Sequence, residues 1–262
     1  MLNNNAASVD RLYPLDGGLA MAPDKSEYSP GIDEGIPIAL SCNAYLIRRA
    51  GEWILWDTGI EDNLFYQLGG KIVAHNIQGI VSRPVRSQLL ELGLQPENIN
   101  KVILSHVHFD HAGNCNMFPG ATFYLQQAEH KAMFGSDYKK YGYIPELYEA
   151  VRNGKVQLLN GDTDLFDDGS MRIFSTPGHT PGHCSMLVNL SNTGMIMLSA
   201  DVAHNRFNLE NRLVPKLNSN FEQSIYSMDR LEKICEEYDA HLWLNHDIRQ
   251  QATIPHAPVW YD

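Results

Sequence analysis

The chain has 262 residues, 44% hydrophobic and 19% charged, with a formal net charge of -11. A chain of that size hides roughly 70–75% of its extended surface on folding, so its core needs no disulfide framework, and the composition excludes a disordered or coiled-coil protein. The acidic balance argues against a nucleic-acid partner, and no apolar run approaches the ~20 residues that span a bilayer.

The opening, MLNNNAASVDRLYPLDGG, has neither the basic nor the apolar region of a secretory signal. Cys42, Cys115, Cys184 and Cys235 are widely spaced without a CxxC pair, which reads as free thiols in a reducing, cytoplasmic compartment. The expectation is one soluble domain over 1–262.

In chain order, short runs with few charges read as buried or half-buried strands at 44–48 and 52–56. Residues 60–82 fit neither period and read as loops or short helices over the rim. A helix is expected at 83–92, ended by Gly93, then strands at 101–105 and 121–125 and a helix at 126–134. Residues 136–165 again fit neither period. Strands at 171–175, 185–190 and 195–199 lead to the clearest helix, 221–238. There Phe221, Ile225, Met228, Leu231, Ile234 and Tyr238 recur every three or four residues as one apolar stripe. A strand at 241–245 closes the series. This mixing of strands and helices indicates an α/β layered domain.

Four polar clusters follow directly after apolar strands: His106-Val107-His108-Phe109-Asp110-His111, Thr176-Pro177-Gly178-His179-Thr180-Pro181-Gly182-His183, Ala200-Asp201 and His246-Asp247. Ligands gather at the carboxyl ends of strands in open α/β sheets, so these clusters can converge. A lone histidine in such a place is ordinarily a satisfied polar residue, and a lone aspartate a helix cap. HxHxDH is different: three imidazoles and a carboxylate in six residues burden one another with desolvation and repulsion unless a cation joins them. His106 and His108, two apart, suit one cation; Asp110 and His111, past the bend, suit a second. Imidazole-rich ligation without thiolate suits zinc, with iron, cobalt or manganese as alternatives. Cys115 and Cys184 are not at ligand spacing and read as packing residues. His75, His130, His241 and His256 read as surface or packing residues.

With Asp57-Thr58-Gly59, HxHxDH at 106–111, His179, Asp201 and His246, the sequence resembles the metallo-β-lactamase superfamily over nearly its whole length. The resemblance implies an αββα sandwich with a dinuclear metal site at one edge. It places His106, His108 and His179 on one cation, Asp110, His111 and His246 on the other, and Asp201 between them. It gives Asp57 the task of orienting a ligand, and His183 a similar one. LYPLDGG, SHVHFDHAGN, STPGHTPGHCS and NHD look most like the N-acyl homoserine lactonases. Those enzymes usually carry a tyrosine three residues after the bridging aspartate, where this chain has His204. An imidazole there can polarise a carbonyl or protonate a leaving group.

The implied reaction is lactone opening by a metal-bridged hydroxide, since bound metal lowers the pKa of water to ~7. Asp110 or His204 returns a proton to the departing alcohol. Another small lactone, ester or thioester is the alternative substrate. Glyoxalase II-type hydrolases carry a further C-terminal helical domain, for which the sixteen residues after His246 leave no room. True β-lactamases usually lack the bridging aspartate, and RNase Z-like nucleases need a basic surface. A non-enzymatic metal sensor is disfavoured because no ligand is missing. Residues 10–40, with Leu12, Leu19, Met21 and Ile36, fit either a lip over the site or a contact within a homodimer. Phe109 suits substrate contact or the core equally.

Overall fold

Eight strands form one sheet: β1 (Arg11–Ala22), β2 (Ile38–Arg49), β3 (Glu52–Trp56), β4 (Lys71–Ala74), β5 (Ile77–Ile80), β6 (Ile99–Ile103), β7 (Thr122–Gln126) and β8 (Lys155–Leu159), in the order β4-β5-β1-β2-β3-β6-β7-β8. The second sheet holds β9 (Thr163–Asp164), β10 (Met171–Ser175), β11 (Cys184–Leu190), β12 (Gly194–Leu198) and β13 (His241–Trp243), in the order β13-β12-β11-β10-β9. The helices are α1 (Val85–Glu91), α2 (Gln127–Met133), α3 (Glu149–Asn153), α4 (Arg206–Glu210), α5 (Phe221–Tyr238) and α6 (Ile248–Gln251). This computed structural model describes residues 7–262.

The layering follows from strict alternation along strands that are buried on both faces. Tyr45, Ile47, Ile54, Trp56 and Ile103 of the first sheet meet Ile173, Met186, Val188, Ile196 and Leu198 of the second. Their neighbours point outward. Leu46, Leu55, Val102 and Phe123 pack under Val85 and Leu89 of α1, Met133 of α2 and Val151 of α3. Phe174, Leu187 and Met197 pack under Leu209 of α4 and Met228, Leu231 and Ile234 of α5. The result is the αββα sandwich. Among the described residues, no helix is long and apolar enough to cross a membrane.

Strand direction sets the position of the site. β3 and β6 are parallel, as are β12 and β13, and β10 runs with β12 because both are antiparallel to β11. The segments that follow β3, β6, β10, β12 and β13 therefore emerge at one edge.

Three sequence expectations change. Residues 60–82 contain the β4–β5 hairpin, turned at His75-Asn76 with both residues at positive φ. Its half-exposed edge strand lacks the continuous apolar run that signals burial. Residues 136–165 hold short helices, as expected, at Tyr138–Tyr141, Pro145–Tyr148 and α3, but also β8 and β9. β1 was hidden because Pro14 breaks its pattern and Gly17-Gly18 interrupt it at a register shift between Asp16 and Leu19. Leu12 is core, paired opposite Ile47, whereas Ile36 is exposed. In α5 the stripe begins one turn late, since Phe221 faces solvent.

Candidate metal centre

The strand ends deliver five imidazoles and two carboxylates into one buried cluster, and the hydrogen bonds behind each ring settle which nitrogen is bare. Ser105 Oγ donates to Asp57 Oδ2 at 2.8 Å, so it accepts from His106 Nδ1 at 3.0 Å and leaves Nε2 without hydrogen. His108 Nε2 donates to the Tyr141 carbonyl at 2.7 Å, which leaves Nδ1 bare. His179 Nδ1 donates to Asn218 Oδ1 at 2.8 Å, which leaves Nε2 bare. The three bare nitrogens then face one another, His108 Nδ1 standing 3.0 Å from His106 Nε2 and 2.9 Å from His179 Nε2.

A second cluster adjoins it. His111 Nδ1 donates to Asp57 Oδ2 at 2.9 Å, and His246 Nδ1 donates to the Ser41 carbonyl at 2.7 Å. Their bare Nε2 atoms point at Asp201, His111 to Oδ1 and His246 to Oδ2, both at 3.0 Å. Asp110 Oδ2 lies 3.8 Å from His111 Nε2 and 3.7 Å from His246 Nε2. Asp201 Oδ2 also lies 3.2 Å from His179 Nε2, so this carboxylate touches both clusters.

This donor set fits two cations. Lone pairs about 3 Å apart, and lone pairs aimed at carboxylate oxygens, repel unless a positive ion lies between them. His111 Nε2 and Asp201 Oδ1 are buried yet form no hydrogen bond, although neighbours surround them. Burial pushes His106, His108 and His179 below the ordinary histidine value, which keeps them neutral and able to bind metal. Burial opposes charge on His111 and His246 as well, but the Asp201 carboxylate, assisted by Asp110, outweighs it and raises both, so without metal a proton takes the place on Nε2 that a cation would hold. Burial likewise opposes charge on Asp201, and the imidazoles of His246, His111, His179 and His106 together hold it well below the carboxylate range.

Local sequence explains the precision. Asp57 adopts positive φ directly after β3, where its carboxylate also accepts from Ser105 N at 2.7 Å. Gly113 lets the HxHxDH loop close onto the Asp57-Thr58-Gly59 turn: a Cβ there would stand 2.5 Å from Glu61 N and Gly59 O. His183 lies one layer back, donating from Nδ1 to the Thr176 carbonyl at 2.9 Å and accepting Asp201 N on Nε2 at 2.9 Å. It fixes the backbone that carries Asp201.

His204 is buried, not solvent-facing: its ring stacks on His246 at 4.9 Å and its Nε2 is 3.5 Å from Asp201 Oδ2. Burial lowers its pKa to about 3. Above the clusters lies a cleft of about 360 Å³. Its lining is mixed: Tyr28, Leu40, Ile77, Phe109 and Leu217 are largely apolar, and His75, Lys140, Lys216 and Asn218 are polar. Phe109 thus belongs to the core and the cleft at once. Tyr28 and Leu40 of the 10–40 segment line the cleft as buried residues, whereas Leu12, Leu19, Met21 and Ile36 are not part of its lining.

Four residues escaped the sequence reasoning. His75, read as ordinary, lines the cleft from the hairpin turn. Tyr28 packs edge-on against His204 at 5.0 Å. Glu129, on α2, accepts from Val107 N, Tyr143 Oη, Thr180 Oγ1 and Gly182 N at 2.7–3.1 Å, and so ties the HxHxDH loop to the His179 loop. Cys42 places its Sγ 3.6 Å from Asp110 Oδ2. Only its cysteine identity was a signal, because it is far in sequence from every motif. Cys115 is core, and Cys184 Sγ lies 3.7 and 3.6 Å from the carbonyls of Leu104 and Ser105, its one S–H serving one of them.

A family profile, the metallo-beta-lactamase superfamily, matches residues 37–233. An N-acyl homoserine lactonase, AttM of Rhizobium radiobacter, is 33% identical over 179 residues, 66% of this chain and 68% of its own. An N-acyl homoserine lactonase of a Bacillus species is 28% identical over 250 residues, 93% of this chain and 96% of its own. The crystal structure of an N-acyl homoserine lactone hydrolase with the product N-hexanoyl-L-homoserine at its catalytic metal centre has a TM-score of 0.84 at 24% identity, covering 97% of this chain and 100% of that one.

Proposed function

Because the chain belongs to the metallo-beta-lactamase superfamily, we propose that its edge cluster is a dinuclear zinc centre that opens the lactone ring of N-acyl homoserine lactones. The observation that carries this reading is the set of bare donors: three imidazole nitrogens turned on one another, and two more turned on a carboxylate. His106, His108 and His179 would hold one ion, Asp110, His111 and His246 the other, with Asp201 shared. Iron, cobalt or manganese would satisfy the same nitrogen and oxygen donors less selectively. When bound, such ions lower the pKa of water to about 7 and polarise a carbonyl.

The chain's own groups do the rest. Asp110, the unshared carboxylate, takes a proton from the attacking water and returns it to the ring oxygen as the C–O bond breaks. His204 Nε2, beside Asp201 at the cleft floor, offers a hydrogen bond to the substrate. The apolar lining residues receive the acyl chain and the polar ones the amide. The substrate is thus a diffusible small molecule, with no nucleic acid or membrane partner, and the four free cysteines suit a cytoplasmic site. Sedimentation decides between monomer and the homodimer that residues 10–40 leave open.

The test joins composition to turnover. Elemental analysis is expected to give close to two transition-metal ions per chain, mainly zinc. A panel of acyl homoserine lactones, a plain γ-lactone, a thioester and a cephalosporin is expected to rank the first group fastest. One ion per chain, not raised by added metal, would end the dinuclear assignment; a faster thioester or cephalosporin would end the lactone one.

A further inference from the structure

We propose that Cys42 is a further donor to the second cation, a reading that rests on the dinuclear centre argued above. Cys42 lies on β2, fully buried, with Sγ 3.6 Å from Asp110 Oδ2. Its Sγ, an Asp110 oxygen and a His246 nitrogen all fall within 4.8 Å of one another. A zinc ion holds sulfur at about 2.3 Å and carboxylate oxygen at about 2.0–2.2 Å, so two such donors at the roughly 90–120° angles of a five-donor site stand about 3.1–3.8 Å apart. The observed separation is that of co-ligands.

The surroundings point the same way. The preceding residue on β2, Ser41, holds His246 through its carbonyl, so one strand positions a donor of the cluster and the thiol together. His111 Nε2, buried and without a hydrogen bond, lies 3.8 Å from the same Asp110 oxygen. The alternative role is that of a thiol donating to Asp110. Its geometry is divided, because the Leu40 carbonyl lies at the same 3.6 Å and one S–H serves only one acceptor.

Sulfur here makes the two ions unequal, the first held by imidazole nitrogens and the shared carboxylate, the second also by a soft donor that favours zinc or cobalt over manganese. On loading, the thiol releases its proton to solvent and no redox step is involved.

Cobalt gives a readout independent of turnover. The metal-stripped full-length protein, reloaded with Co(II), is expected to bind two ions per chain and to show a thiolate-to-cobalt charge-transfer band in the near ultraviolet. Cys42→Ser and Cys42→Ala are expected to lose the band. They should also weaken the second ion by at least the roughly 10–100-fold that removal of a residue supporting a ligand costs. Two bound ions with no band in the parent, or a band that survives in either variant, would overturn the role of Cys42 and leave the dinuclear centre standing. Failure of the parent to bind a second ion would overturn both. A variant that does not fold is read through the other, since alanine and serine fill the site differently.

Discussion

The floor and the wall of the cleft are built on different principles. The floor consists of side chains that leave strand ends at one sheet edge, and five of its rings, His106, His108, His111, His179 and His246, are fixed from behind by a named acceptor, such as Asp57 for His111 or Ser41 for His246. The wall is assembled from segments remote in sequence: Tyr28 before β2, His75 and Ile77 of the hairpin, Lys140 and Tyr141 after α2, and Lys216 to Ser219 before α5. A floor residue acts on the transition state, so its loss lowers kcat; a wall residue holds ground state and transition state alike, so its loss raises KM. Substitutions on the two sides sharpen or break this division.

The largest effect is expected at the shared carboxylate. Asp201→Asn should keep the fold but lose activity by about 10³-fold, equivalent to about 4 kcal/mol, because a neutral amide links two cations poorly. Full metal content with activity within a few-fold of the parent would remove Asp201 from the bridging role. Next is His204→Ala, expected to lower kcat by about 10²–10³-fold while two ions remain bound. His204→Tyr is expected to recover part of that loss. Loss of metal in the alanine variant would instead place His204 among the ligands. An unchanged kcat would move it to the wall.

The floor was legible in the sequence because it is local. Each of its clusters directly follows a strand that hydrophobic patterning finds, and 52–56 and 171–175 coincide with β3 and β10. Six residues of HxHxDH carry a chemical implication without any tertiary knowledge. The wall was not legible, since it depends on what crosses the sheet edge. Tyr28 and His75 have ordinary neighbours in sequence and gain meaning only from packing. The hairpin escaped detection because its edge strand alternates poorly, and β1 because Pro14 and two glycines interrupt its pattern. Cys42 was overlooked for a related reason: cysteines were judged by their distance along the chain from the motifs, whereas β2 brings this one across the sheet.

Glu129 tests whether the floor depends on support from beneath. Its buried carboxylate accepts four hydrogen bonds from two ligand-bearing loops and Tyr143. Glu129→Gln turns one acceptor oxygen into a donor and leaves at least one buried donor unpaired, at a cost of about 2 kcal/mol. The expected fall in Tm is about 4–8 °C. The metal-loaded and metal-stripped forms should both show it, because the bonds join protein to protein. A drop confined to the loaded form would mean that Glu129 serves the ions directly.

The smallest effect is expected at the wall, at Leu217. This residue is partly exposed, is one of the apolar residues lining the cleft and also borders a side cavity of about 90 Å³ with Tyr28, His75 and Ile77. Each CH₂ that an acyl chain buries there contributes about 0.8 kcal/mol, nearly a fourfold gain in affinity. Leu217→Ala removes part of that surface, so KM for a long-chain substrate should rise by about five- to tenfold, or about 1–1.4 kcal/mol. The same variant should bind a short-chain substrate as the parent does and keep its kcat, because the chain end is far from the bond that breaks. Measured across a series of chain lengths, the parent's gain per CH₂ should flatten in the variant. A fall in kcat at every length would instead make Leu217 part of the floor, and an unchanged slope would place the acyl chain on another side of the cleft.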